Sequence, residues 1–328
     1  MILVTGGAGY IGSHTVLELM RAGQDVIVYD NLQKGHRAAT ERIGARLVVG
    51  DLRDQAALSA VFKTNDIGHV IHFAAESLVG ESMQNPLKYY DNNVYGTCCL
   101  VREMVAAGVK NLVFSSTAAV YGEPKAVPLD EGADKTPTNV YGETKLAIEK
   151  MLGWASSAHG LNYVALRYFN AAGADETIGI GEDHQPETHL IPLVLRTALG
   201  KMPEIQVFGD DYPTRDGTCV RDYIHVTDLA NAHIRALAKL DGNECATYNL
   251  GNGTGFTVRE VLDAARAVTG REIPTVVAGR RAGDPAVLIA SPQKIKDELQ
   301  WEPRYTTIQA IIASAWQWHL NNPEGYAD

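Results

Sequence analysis

Tyr141 and Lys145 stand four residues apart in a stretch with helical patterning, Asn139 to Leu152, so both side chains leave one face. A phenol beside an ammonium can act as a general base. An unperturbed tyrosine ionises near pH ~10, so neutrality requires a drop of about three units, roughly 4 kcal/mol. The lysine charge supplies part of that, and a positively charged redox ring the rest. On its own Tyr-x-x-x-Lys is usually a solvated helix face. It gains weight from a glycine signature at the other end of the chain and from three hydroxyls, Ser115-Ser116-Thr117, ahead of it.

That signature is Thr5-Gly6-Gly7-Ala8-Gly9-Tyr10-Ile11-Gly12, between the apolar run Ile2-Leu3-Val4 and a helical pattern through Met20. Gly7, Gly9 and Gly12 fit G-x-G-x-x-G, and Gly6, Gly9 and Gly12 fit G-x-x-G-x-x-G. Either spacing serves a tight turn, close backbone approach to a pyrophosphate, and helix packed on strand. The helix N-terminus then offers free N–H groups to phosphate. The next strand, Val26-Ile27-Val28-Tyr29, ends at Asp30, placed to accept from ribose hydroxyls. An acid there repels a 2′-phosphate, so the expectation is NAD rather than NADP. The competing reading of Asp30, a loop aspartate capping a turn, is common for Asp-Asn.

The elements that position these residues alternate. Strands are predicted at 2–4, 26–29, 47–52, 70–75, 111–117 and 162–170, with helices between them, including 54–63 and about 86–107. The result is an α/β fold, a Rossmann-type doubly wound parallel sheet, with the strand ends lining a cofactor crevice. Asp51 could meet the adenine or cap the next helix. His72 reads as a hydrogen-bonded core histidine. Asn92 and Asn93 either bridge a loop to their helix or reach the cofactor. After Asn170 the rhythm breaks. Residues 171–189 read as loop, in which His184 and His189 flank Glu187. A metal site is open there, but the spacing matches no metal-binding pattern, and a polar substrate-side loop is favoured. Beyond it a helix is expected at 190–199, strands at 205–209 and 221–226, and a segment near 247–251 returning to the main sheet. Thr257 with Glu260 forms a capping box for a helix ending at Gly270, and a last helix runs over 307–320. The expected division is 1–170, with a returning segment near 222–250, for the dinucleotide, and a smaller C-terminal α/β substrate lobe, 171–328.

The 328 residues are 45% hydrophobic and 21% charged, an ordinary globular composition. A net charge of −10 leaves no basic stripe, which argues against nucleic acid. No eighteen-residue apolar run is present, which argues against a membrane span. Cys98, Cys99, Cys219 and Cys245 form no C-x-x-C and are expected as buried free thiols. With the first strand starting at Ile2, no signal peptide is read, and the expected location is cytoplasmic.

The glycine turn, Thr117 and Tyr141-x-x-x-Lys145 together resemble the extended short-chain dehydrogenase/reductase family. Further segments are similar to its UDP-glucose 4-epimerase branch: His72-Phe73-Ala74-Ala75, Tyr89-Tyr90-Asp91-Asn92-Asn93-Val94, Arg167-Tyr168-Phe169-Asn170, Phe208-Gly209-Asp210-Asp211-Tyr212, Val220-Arg221-Asp222-Tyr223-Ile224-His225-Val226 and Gly325-Tyr326-Ala327-Asp328. The likeness spans essentially the whole chain. It implies NAD contacts at Gly6, Gly9, Tyr10, Ile11, Gly12, Asp30, Asn31, Asp51, Leu52, Phe73, Ala74, Ala75, Ser77, Asn92, Thr117, Tyr141, Lys145 and Phe169. It implies UDP-sugar contacts at Thr117, Tyr141, Asn170, His189, Leu190, Gln206, Phe208, Arg221, Arg281 and Asp284. Catalysis falls to Tyr141, Lys145 and Thr117, with no metal among the site residues. The implied reaction is reversible C4 epimerisation of UDP-glucose and UDP-galactose, as in galactose metabolism, through a transient 4-keto sugar, in a homodimer paired through helices near 86–107 and 142–152.

The chain departs from that branch at three places. Ser77 stands where a lysine is frequent near the pyrophosphate. His189 replaces a common asparagine. Leu288 falls where residue size helps decide whether an N-acetyl group fits, so UDP-GlcNAc and UDP-GalNAc remain an alternative substrate pair. A 4,6-dehydratase would need Asp-Glu after Thr117, where this chain has Ala118-Ala119. A non-catalytic NAD-sensing regulator would not need the intact Thr117, Tyr141 and Lys145.

Overall fold

Apolar runs that do not alternate bury both faces of a strand, and the sheet they build here is parallel throughout. The structure of the protein, a computed structural model, describes residues 1–281 and 284–327. Ala282 and Gly283, between the expected sugar contacts Arg281 and Asp284, and Asp328 of the tail motif lie outside the described residues. The first six strands are β1 (Ile2–Thr5), β2 (Val26–Asp30), β3 (Arg46–Val49), β4 (His69–His72), β5 (Asn111–Ser115) and β6 (Asn162–Arg167). Next come β7 (Asn170–Ala172), β8 (Ile205–Phe208), β9 (Val220–Arg221) and β10 (Tyr223–His225). The last are β11 (Ala246–Asn249), β12 (Phe256–Thr257), β13 (Thr275–Ala278) and β14 (Val287–Leu288).

The main sheet has seven strands in the order β11-β6-β5-β4-β1-β2-β3. Ile2 and Val4 face one way, against Val16 and Leu19 of helix Tyr10–Arg21 and Leu229 and Ala236 of helix Val226–Leu240. Leu3 faces the other way, against Leu58 and Phe62 of helix Gln55–Thr64 and Leu100 and Met104 of helix Gly96–Ala107. The first connections wind outward from β1 in opposite directions, to β2 and to β4. That reversal opens a crevice at the carboxyl ends of the strands. The segment expected to return near 247–251 does so as β11, parallel to β6.

A second core gathers helices Leu190–Ala198, Val258–Thr269 and Ile308–Asn321 around Leu195, Val261 and Ile312. The Thr257–Glu260 capping box is present, and Gly270 ends its helix in the left-handed conformation.

Several expected boundaries move. The run 162–170 splits into β6 and β7, which belong to different sheets. Arg167 turns its guanidinium to Glu149, with Nε at 2.9 Å, and Tyr168 places its hydroxyl 2.6 Å from Ser115 Oγ. Those bonds end the ladder, and the chain leaves for β10. The run 221–226 splits at Asp222, whose carboxylate accepts from Asn252 N at 2.8 Å and Ala290 N at 3.2 Å. Strands expected to end at residues 52, 75 and 117 stop at Val49, His72 and Ser115. Asp54, not Asp51, caps the helix Gln55–Thr64, through Ala57 N. The helix expected at 86–107 contains a π-helical stretch, Tyr90–Tyr95. All four cysteines are free, and Cys99 and Cys219 are buried as expected, but Cys98 is only half-buried and Cys245 is exposed. No helix among the described residues is long and apolar enough to cross a membrane.

Candidate active site

Because β3, β4 and β5 end early, the residues just beyond them join those beyond β1 and β2 as walls of one cleft of about 1500 Å³. Ordinary small-molecule sites hold roughly 300–1,000 Å³. This one has room for two large ligands side by side. Gly6, Gly9, Tyr10, Ile11 and Gly12 line it and Gly7 does not, so of the two glycine spacings the one through Gly6 faces the cleft. A Cβ on Gly12 would stand 2.1 Å from Gly6 O, which makes glycine obligatory at that approach of helix to turn. The helix's first hydrogen bond runs from Ser13 N to Gly9 O, so the N–H groups of Tyr10, Ile11 and Gly12 lie ahead of it.

Asp30 is buried at the tip of β2. Its Oδ2 accepts from Ala8 N at 3.0 Å and its Oδ1 from Leu32 N at 2.9 Å. The turn-capping reading of this residue holds, and each oxygen keeps a lone pair for a further donor. Burial raises its pKa above the usual carboxylate range. Asp51 is held well below that range by hydrogen bonds from the Arg53 guanidinium, aided by Asn31 Nδ2 at 3.0 Å. Leu52, Phe73, Ala74, Ala75 and Ser77 continue the wall. His72 is the satisfied core histidine expected, bonded to Thr5 Oγ1 at 2.7 Å and Thr97 Oγ1 at 2.8 Å. Of the two asparagines, the bridging role falls to Asn93. Asn93 is buried and bridges to Glu76 N and O, tying the loop after β4 to its helix, while Asn92 lines the cleft.

Tyr141 enters from the first turn of helix Val140–His159, which Asn139 caps through Gly142 N. Its own N–H donates to Ser82 Oγ at 3.2 Å. Lys145 is buried, with Nζ 2.7 Å from Ser115 O and 5.9 Å from the centroid of the Tyr141 ring. Burial pushes the Tyr141 phenol up to about 12, partly offset by a side-chain hydrogen bond with Thr117. Burial lowers Lys145 to about 7, with Glu149 acting the other way. The sequence places the starting point near pH ~10; the fold moves it upward, because part of the phenolate's hydration is lost in this wall.

Phe169, Asn170, Leu190, Gln206, Phe208, Arg221, Arg281, Asp284 and Leu288 also line the cleft. The Arg281 guanidinium lies 4.3 Å over the Phe208 ring. Arg221 Nη1 is spent on Val220 O and Pro285 O, and Nη2 stands 3.6 Å from Asp284. Asn170 Nδ2 donates to Asp222 O at 2.9 Å. His189 lines the cleft, but its Nδ1 is held at 2.5 Å by Glu182 Oε1. Burial opposes the imidazolium, and Glu182 outweighs it, raising His189 to about 9.

Sequence reasoning missed three participants. Lys34 lines the cleft, its Nζ donating to Gln185 O at 3.1 Å. Ser82 seats the Tyr141 backbone. Glu149 faces Lys145 while pairing with Arg167 and accepting from Ser116 Oγ at 2.6 Å. The run Ser115-Ser116-Thr117 is the one sequence signal for this last network.

Residues 2–251 match the model of the NAD dependent epimerase/dehydratase family. The UDP-glucose 4-epimerase of Halalkalibacterium halodurans is 56% identical over 328 residues, covering 99% of this chain and 97% of that protein. A crystal structure of a UDP-glucose 4-epimerase superposes with a TM-score of 0.97 at 57% identity, covering 100% of this chain and 99% of that one. The UDP-glucose 4-epimerase of Bifidobacterium longum, solved with NAD+ and UDP, gives a TM-score of 0.95 at 42% identity, with 99% of both chains covered. The expected doubly wound sheet and the expected branch are thus both met: this chain belongs to the NAD dependent epimerase/dehydratase family and, within it, stands with the UDP-glucose 4-epimerases.

Proposed function

We propose that the protein interconverts UDP-glucose and UDP-galactose by reversible oxidation at C4, with NAD as resident cofactor. The observation that carries the mechanism is the Tyr141–Lys145 pair, the tyrosine half-buried and the lysine buried, opening onto a cleft large enough for a dinucleotide and a nucleotide sugar. The residues present fit NAD. A Cβ on Gly9 would meet nothing closer than Gly6 O at 3.4 Å, so the backbone there is open to the cleft, with first-turn N–H groups beside it. Asp30 stands where the adenosine ribose would lie, with lone pairs to spare.

Bound NAD supplies the reversible oxidation of C4 and a positive ring beside the phenol. Tyr141 takes the 4-hydroxyl proton and returns it on the opposite configuration. Moving its pKa from about 12 to neutrality requires roughly 7 kcal/mol. A charged Lys145 at 5.9 Å contributes roughly 3 kcal/mol of that at an effective dielectric of about 20. Thr117 shares the phenol with the sugar hydroxyl. Arg221 and Arg281 suit the diphosphate, Phe208 and Leu190 the uridine end, and Asn170 and Gln206 the polar face between. Ala118-Ala119 after Thr117 puts no acid where a dehydratase needs one.

We also infer two lobes, the dinucleotide on the main sheet and the sugar nucleotide against residues 171–328. A homodimer is the assembly we favour. Leu87 is 81% and Trp154 77% exposed, and with Tyr90 and Tyr95 they leave an apolar surface on the helices expected to pair. A cytoplasmic location accords with free thiols. Incubation of the purified protein with UDP-galactose, without added NAD, is expected to yield UDP-glucose. Absence of product, with or without NAD, refutes the reading. UDP-N-acetylgalactosamine in a parallel reaction reports on Leu288.

A further inference from the structure

Outside the hydride chemistry, one cluster of side chains has no task in the proposed reaction. Glu182, His184, Glu187 and His189 lie on the loop between β7 and helix Leu190–Ala198, and one donor atom from each falls within 4.8 Å of all the others. The sequence spacing gives no hint of this, because the loop folds back on itself. His189 Nδ1 lies 2.5 Å from Glu182 Oε1 and 3.5 Å from Glu187 Oε1. His184 Nδ1 lies 3.2 Å from Glu182 Oε1 and 3.9 Å from Glu187 Oε2. Four ligands at zinc bond lengths of roughly 2.0–2.2 Å occupy tetrahedron corners about 3.3–3.6 Å apart. The observed separations bracket that range.

A second observation points the same way. The Glu187 side chain is 1% exposed, and its Oε2 has no hydrogen-bond partner, nor has His184 Nδ1. Glu187 Oε1 accepts from Thr188 N at 2.7 Å and His189 N at 2.8 Å, which fixes the carboxylate with Oε2 turned toward His184. A buried carboxylate oxygen left unpaired is costly, and a cation removes that cost. Two carboxylates balance a divalent charge once the ion displaces the protons from the two imidazole ligand nitrogens. Their mixed N/O set suits a borderline ion rather than calcium or magnesium.

We propose that Glu182, His184, Glu187 and His189 form a closed structural site for one divalent transition-metal ion, zinc by preference. Four protein donors leave no position for substrate, so its role is to clamp the loop. The clamp continues into the fold: Glu182 O accepts from Trp318 Nε1 at 3.1 Å, and Leu190, a wall of the cleft, follows His189 directly. His189 is then a ligand rather than a sugar contact.

The test is calorimetric titration of tag-free, chelator-treated protein with zinc chloride, with metal content measured after desalting, on the wild type, Glu187→Gln and His184→Gln. One zinc per chain is expected for the wild type, with binding more than about 100-fold weaker in each variant, a larger loss than outer-shell changes cause. No stoichiometric zinc in the wild type, or equal binding by folded variants, overturns the proposal. Should the variants misfold, cobalt(II) added to the wild type decides: intense tetrahedral absorption bands support the site, and a weak six-coordinate spectrum refutes it.

Discussion

Replacing Lys145 by methionine isolates the electrostatic part of the account. The ammonium lies 5.9 Å from the Tyr141 ring centroid, in a wall where Lys145 is buried and Tyr141 half-buried. At an effective dielectric of about 20, one charge at that distance stabilises the phenolate by roughly 3 kcal/mol, about two pKa units. Methionine fills similar space without the charge. Burial already brings Lys145 to about 7, so the charge is present below neutrality and fades above it. The rate of UDP-galactose conversion, followed by chromatography of quenched reactions, is therefore expected to fall about 100-fold below pH 7 in Lys145→Met. The variant and wild-type profiles should converge as pH rises, because the wild type then loses the same charge. A uniform loss at every pH, tracking loss of bound NAD, would show that Lys145 only holds the cofactor and would refute the electrostatic role.

Three further outcomes follow from other parts of the molecule. Arg167→Met leaves Glu149 buried without its partner and should lower unfolding stability by about 3–5 kcal/mol in urea; a loss under about 1 kcal/mol would mean Glu149 is neutral in the fold. Gly12→Ala drives a Cβ to within 2.1 Å of Gly6 O, so the variant should purify without NAD, judged by dinucleotide released on acid denaturation; a full complement of NAD contradicts this. His14 and His233 are lowered to about 4, and His72 and His225 to about 3, in each case chiefly by burial. Their folded pKa values lie below the unfolded one, so their contribution is complete above pH ~6.5 and is lost as pH falls toward 4. Denaturation midpoints should decline steadily from pH 7 to pH 4.5, and a flat profile would show that these histidines charge freely in the folded state.

The first half of the fold was legible because each element there carries its own pattern. Ile2-Leu3-Val4 and Val26 to Tyr29 are unbroken apolar runs, and glycines and an acid mark their ends. The second half was less so, since β9, β12 and β14 are two residues each and exist only through pairing with one another. The breaks at Phe169 and Asp222 are tertiary: side chains of Arg167, Tyr168 and Asp222 find partners far along the chain, and no local propensity records that. Tyr141 and Lys145 could be read from helical spacing alone. The depth of their burial could not, and burial is what moves the phenol upward. The Glu182–His189 cluster was legible only as a polar loop, because its convergence depends on a chain reversal without helical period.

The central claim is that the phenol of Tyr141 exchanges the proton while bound NAD works on the same carbon. The direct test is Tyr141→Phe, purified with its NAD and assayed for conversion of UDP-galactose to UDP-glucose at pH 7. The account predicts unchanged NAD content and a loss of about 10²–10⁴-fold in turnover, the usual contribution of a positioned general base. Turnover within a few-fold of the wild type, with NAD still bound, would contradict it.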